Sequence, residues 1–186
     1  MLGSHALLTV LAGIAGRPLK VTAFRAVPLG SLIAYVQREG QANLRFMSGG
    51  INRYNLAGTA CLYVAEEDET ARVELRHGFG GVPVDEALFQ VNCQLKRVLD
   101  LLDAEMSSAL GLTDMDFFGP WETAKRATAT QRLGETVWRG GQFDAIRFPS
   151  NAMHSAGRSG TNLVIAERAA LDPRKVRVAN YGGTKV

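Results

Sequence analysis

Cysteine and histidine are scarce in this 186-residue chain, with two of the first and three of the second. Cys61 and Cys93 lie in unrelated apolar stretches without CxxC or CxH spacing, which argues against a disulfide framework and predicts free thiols in a reduced compartment. His5, His77 and His154 show neither HExxH nor HxH spacing, so no metal site built from the chain is expected. GxSxG elbows, Walker lysine loops and a GxGxxG after a strand are all missing, which leaves a nucleophile-and-base hydrolase or a Rossmann enzyme with little support. A dense basic stripe is missing too. The net charge is +3 and the pI about 9.1, with small basic groups only at "KRVLD", "AKR" and "DPRKVR". That is short of a nucleic-acid footprint, yet it suits an anionic small ligand. The apolar "HALLTVLAGIAG" is shorter than the roughly 20 residues a bilayer span needs and has no basic n-region before it. A cytoplasmic protein is expected.

What is present is an ordinary globular balance, 46% hydrophobic and 21% charged, with no repeat and no Pro/Ser-rich linker. The expectation is one domain over 20–186, with 1–19 as an extension packed on or preceding it. Strands are predicted at 19–27, 59–65, 143–149, 161–167 and 176–181, and one or two more within "LFQVNCQLKRVLDLLD". Helices are predicted at 29–38, from a cap at Asp68 to Gly78, in "AEMSSALG", and in "TATQRLGETVW" with Leu133 and Val137 inward. Residues 39–58 read as a long loop, and 112–122 as irregular chain with Trp121 as a packing anchor. Strands and helices mix without regular βαβ alternation, so the class is α+β, mixed β-sheets with flanking helices.

One charge is out of place. Glu74 shares i, i+3, i+4, i+7 spacing with Ala71, Leu75 and Gly78, the face a helix buries, while Glu69, Arg72 and Arg76 take the opposite face. A buried carboxylate needs an arginine or a ligand hydroxyl beside it. Arg25 alternates in register with Val21, Ala23 and Val27 on a strand face. Arg53 lies in "GGINRYN", where two glycines permit close backbone approach to a ligand. Tyr63 shares a strand face with Cys61 and Ala65, and Ser150 follows Ile146 and Phe148 at a strand end. Arginine forks grip pyrophosphate, an aromatic stacks a ring, and a carboxylate supports positive charge on ribose.

The order of "FRAVP" (24–28), "GGINRYN" (49–55), "LYVAEEDETARVEL" (62–75), "TQRLGETVW" with "FDAIRFPSNA" (130–152), and "TNLVIA" (161–166) resembles the RES-domain family, the toxin component of RES–Xre toxin–antitoxin systems. The loop departs from the family's "GGRWN"-like form, with two extra residues before Arg53 and tyrosine in place of tryptophan. The resemblance implies an ADP-ribosyltransferase-like fold and chemistry on NAD⁺. The ADP-ribose would pass to water or phosphate or, alternatively, to a protein; a non-catalytic binding module on the same fold is the other alternative. It implies a catalytic Arg, Glu and Ser at Arg25 or Arg53, Glu74 and Ser150. Glu74 would hold ribose hydroxyls and stabilise the cation, and Ser150 would orient Glu74 or the ribose. Arg25 and Arg53 would hold the pyrophosphate, and Tyr63 would flank the nicotinamide, with Asn55 also on the NAD⁺-binding side. NAD⁺ would be a substrate, with no prosthetic group, and an Xre-type helix-turn-helix antitoxin or another immunity protein would be the partner.

Overall fold

A computed structural model describes residues 4–39, 47 and 49–179. Among the described residues there are six strands: β1 (Arg17–Pro28), β2 (Cys61–Ala65), β3 (Glu86–Asp100), β4 (Ala145–Pro149), β5 (Thr161–Ala166) and β6 (Val176–Ala179). They form one sheet in the order β1-β2-β5-β4-β3-β6, and β1 also pairs with β3. The pairings therefore close β1, β2, β5, β4 and β3 into a ring, with β6 attached outside on β3. All are antiparallel except β3–β4. The α+β expectation holds, with one closed sheet in place of several. The stretch expected to hold one or two strands is a single 15-residue strand, β3, long enough to serve β1, β4 and β6 at once.

Strand alternation sorts the side chains into two cores. Leu62, Val64, Leu163, Ile165, Val91 and Val98 point together into one cluster. The intervening residues Val164, Ile146 and Phe148 join Leu99 in a second. Against that second cluster lie α1 (Ser4–Ala12), through Leu7 and Leu11, and α6 (Ala129–Gly140), through Leu133 and Val137. Helix α6 starts at a capping box, Thr128 with Gln131, and stops at Gly141 in the left-handed region (φ 66°). Cys61 and Cys93 are both buried, and burial pushes each thiol up to about 12.

The remaining helices are α2 (Leu29–Glu39), α3 (Asp68–Gly78), α4 (Ala104–Ala109), α5 (Asp114–Phe118), α7 (Asn151–Ser155) and α8 (Glu167–Ala170). Two local expectations need correction. The N-cap of α3 is Glu67; Asp68 is its first helical residue. The Glu67 side chain makes no cap bond to a helix amide but accepts from Thr70 Oγ1 (2.8 Å) and the Thr161 amide (3.1 Å), tying α3 to β5. The supposedly irregular 112–122 stretch contains α5, nucleated by a capping box between Thr113 and Asp116. Most of the expected loop before Met47, and residues 180–181 of the last expected strand, lie outside the described residues.

Asp144 joins β3, β4 and the chain entering β6. Its carboxylate accepts from the Lys96 amide (2.9 Å), the Arg97 amide (3.3 Å) and Lys175 Nζ (2.7 Å). Burial alone would raise its pKa, but these bonds outweigh burial and hold it below the usual carboxylate value. Replacing Asp144 with Ala leaves two amides and a lysine without their acceptor and should cost about 2–4 kcal/mol. The folded pKa is depressed, so this stabilisation is present above the unfolded value near ~4 and disappears as pH falls through the folded one. Urea unfolding of both proteins should show the gap at neutral pH and its closure in acid.

Candidate active site

The ring is weakest between β1 and β2, which share one register pair, Phe24 opposite Ala65. There the Arg25 side chain takes over from the backbone ladder, with Nη1 donating to the Tyr63 carbonyl at 2.7 Å. Helix α3 packs across the gap, Ala71 and Leu75 against Ala26, Ala65 and Phe24. Its next inward position is Glu74. The result is a cleft of about 370 Å³ whose walls include Arg25, Arg53, Tyr63, Glu74 and Phe148. The inward face read from the helical spacing is thus a cleft face.

Among the described residues Glu74 forms no ion pair with an arginine. Ser150 Oγ donates to its Oε1 at 2.7 Å, and Asn162 Nδ2 to the same atom at 2.5 Å. Among the described residues Oε2 takes no hydrogen bond, which leaves half the carboxylate's acceptor capacity for a ligand in the cleft. Ser150 is buried and has a second duty: it is the N-cap of α7, accepting from the Met153 amide at 3.0 Å. A strand end, a helix start and the carboxylate are therefore fixed through one hydroxyl.

Arg25 is desolvated, which draws its guanidinium down to about 10, still cationic at neutral pH. Burial lowers Arg53 as well, opposed by Tyr54, Glu122 and Glu74. Arg53 donates from Nη1 to the Asp116 carbonyl and from Nη2 to the Gly119 carbonyl, both at 3.2 Å. Tyr63 lines the cleft, and its hydroxyl donates to Asn55 Oδ1 (2.8 Å) and accepts from the Tyr54 amide (3.1 Å). Burial raises that hydroxyl well above the ordinary tyrosine value, so it stays protonated.

The structure brings Arg25, Arg53, Tyr63, Glu74 and Ser150 together and sets Asn55 apart. Asn55 is fully buried and does not line the cleft. Its amide nitrogen donates to the carbonyls of Gly50, Leu56 and Thr59, so it braces the loop behind Tyr63. Trp121, expected as a packing anchor, is half-buried and lines the cleft beside Glu122. Asn162 was missed by sequence reasoning. Its signal was an amide as the second residue of "TNLVIA", where every later residue is apolar and buried. Among the described residues no three His, Cys, Asp or Glu side chains gather to hold a metal, and no helix is long and apolar enough to cross a membrane.

Ser150→Ala removes a helix cap and one of the two donors to Glu74, and should destabilise the fold by about 1–2 kcal/mol in urea titrations. Ser150→Thr keeps the hydroxyl and should recover most of it.

A family model described as the RES domain matches residues 35–182. Among solved structures, the chain is similar to one from the M. tuberculosis MbcT-MbcA toxin-antitoxin complex, with a TM-score of 0.70 and 15% identity over 94% of this chain and 90% of that one. At that identity the likeness concerns the fold. No curated protein sequence matches the chain.

Proposed function

The chain belongs to the RES-domain family, and from that premise we propose that it is the toxin of a toxin–antitoxin pair, cleaving the nicotinamide–ribose bond of NAD⁺. The observation that carries this reading is a carboxylate, Glu74, held by two neutral donors in a cleft that also contains two arginines. Neutral donors fix Glu74 without cancelling its charge. A salt bridge would have done both.

In the proposed reaction the C1′–N bond breaks, nicotinamide leaves as a neutral molecule with the bonding pair, and positive charge develops on the ribose as in glycoside cleavage. Glu74 Oε1 is occupied by Ser150 and Asn162, so Oε2 is the atom available to accept from ribose hydroxyls and to face the developing cation. Arg25, cationic and desolvated, supplies charge for the diphosphate, and Arg53 adds to the field from the opposite loop. The rings of Tyr63 and Phe148 offer apolar surface to the nicotinamide. Water or phosphate would then take the ADP-ribose, in a fold of ADP-ribosyltransferase type acting in a cytoplasm. The similar solved structure comes from a toxin–antitoxin complex, which supports an antitoxin as partner; an Xre-type helix-turn-helix protein is the proposed kind.

Replacing Glu74 with Gln keeps the shape and an acceptor for Ser150 and Asn162 but removes the charge. NAD⁺ turnover, followed as loss of NAD⁺ and release of nicotinamide, should fall by about 10²–10³-fold. Folding stability should stay within about 1 kcal/mol, because neither neutral donor loses its partner. A variant with near-normal turnover would end the catalytic reading. Label from NAD⁺ appearing on a protein band would move the acceptor from water or phosphate to protein.

A further inference from the structure

One face of α6 is given over to the backbone of the loop that carries Arg53. Gln131, Gly134, Glu135 and Trp138 recur at i, i+3, i+4, i+7 and form a single stripe. Gln131 Nε2 donates to the Asn52 carbonyl at 3.1 Å, and Trp138 Nε1 to the Tyr54 carbonyl at 2.9 Å. Glu135 Oε1 accepts from the Leu56 amide at 3.1 Å and from Thr59 Oγ1 at 2.9 Å. Between them the loop lies against the helix itself: a Cβ on Gly134 would come within 1.9 Å of the Tyr54 carbonyl oxygen. Arg53 lies between two of the clamped residues, Asn52 and Tyr54.

Its two terminal nitrogens reach across to α5 and the turn after it, at the Asp116 and Gly119 carbonyls. Gly119 is itself tightly seated, since a Cβ there would meet the Met115 carbonyl oxygen at 2.4 Å. Pro120 follows, with its φ fixed by the ring, and then Trp121, which lines the cleft. One residue, the rigid Pro120, thus separates the glycine that Arg53 holds from an aromatic wall of the site. A guanidinium has five N–H groups, and two are committed here.

We propose that the α6 stripe and Arg53 form a positioning relay that sets the place of Trp121, and with it the width of the cleft and the affinity for substrate. The residues of the stripe are positioning residues; they act through the loop and touch no substrate. As a statement about NAD⁺ affinity the proposal rests on the reading above, but the relay itself can be tested without any ligand.

The test uses the full chain labelled with 5-fluorotryptophan, whose two tryptophans, Trp121 and Trp138, give two fluorine resonances assigned with Trp121→Phe. In Arg53→Met, without nucleotide, the Trp121 resonance should move toward its value in the unfolded chain and show a larger H₂O/D₂O shift. Glu135→Ala should move it in the same direction while the protein remains folded by circular dichroism. An unmoved Trp121 resonance in Arg53→Met overturns the tether, and an unmoved one in Glu135→Ala overturns the part assigned to α6. Gly134→Ala is a harsher version, and Glu135→Ala decides the matter if that variant does not fold. In turnover assays Glu135→Ala should raise the KM for NAD⁺ about three- to tenfold with kcat nearly kept, the size expected for lost hydrogen bonds to a loop. A fall in kcat at constant KM would contradict the relay. Loss of the NAD⁺ reading through Glu74→Gln would leave the fluorine result standing, so the two failures are distinguishable.

Discussion

Among the described residues, the pairing of Phe24 with Ala65 is the one register contact that joins β1 to β2. Everywhere else the ring is held by ladders of three to eleven pairs, and its interior is filled by side chains. One more turn of pairing would have sealed the wall, whereas none would have left β2 tied only to β5. The intermediate case gives a gap that a side chain, Arg25, spans with a bond to the Tyr63 carbonyl. Helix α3 then covers the gap on one side with alanine and leucine and presents a carboxylate at the next position of the same face. The cleft is a consequence of incomplete strand pairing.

Its electrostatics follow from what the neighbouring elements contribute. Both donors to Glu74 are uncharged, and both come from the last third of the chain, from the end of β4 and the start of β5. The cationic groups come from the first third and are committed to carbonyl oxygens. Opposite charges therefore face a common space without neutralising one another by contact. Elsewhere the protein does use close ion pairs: Arg147 holds Glu66 through two bonds and Asp100 through a third. The difference between that triad and the cleft is the difference between a fastening and a site.

Much of this was legible beforehand, where the local pattern and the tertiary context agreed. The inward face of α3 could be read because helical spacing alone separates Glu74 from Glu69, Arg72 and Arg76. Local pattern reads Ser150 only as a strand-ending serine; its link to Glu74, 76 residues away, enters through the family resemblance, as one of two roles. An arginine was the natural partner to expect for a buried carboxylate; two neutral groups suffice because the carboxylate opens on one side to a cleft. Asn55 looked like a ligand-facing loop residue and is instead the loop's internal brace, a role invisible without knowing how the backbone folds over it. Trp121 was taken for core because tryptophan usually is. Helix α5 was hidden because five residues are too few to show a period, and β3 looked divisible because a strand of 15 residues is unusual.

The ring's topology also fixes an order in time. Strand β5 lies between β2 and β4, and its last residue is Ala166. During synthesis the N-terminal strands can form a β1–β3 ribbon once residue 100 has emerged, but the circle cannot close until residue 166 has left the ribosome. Asn162 arrives with that closing strand, and Ser150 shortly before it. A nascent chain therefore carries its carboxylate and its arginines long before it carries the groups that hold the carboxylate in place. Long-range closure of this kind is slow compared with local pairing, so the assembled cleft is one of the last features to appear.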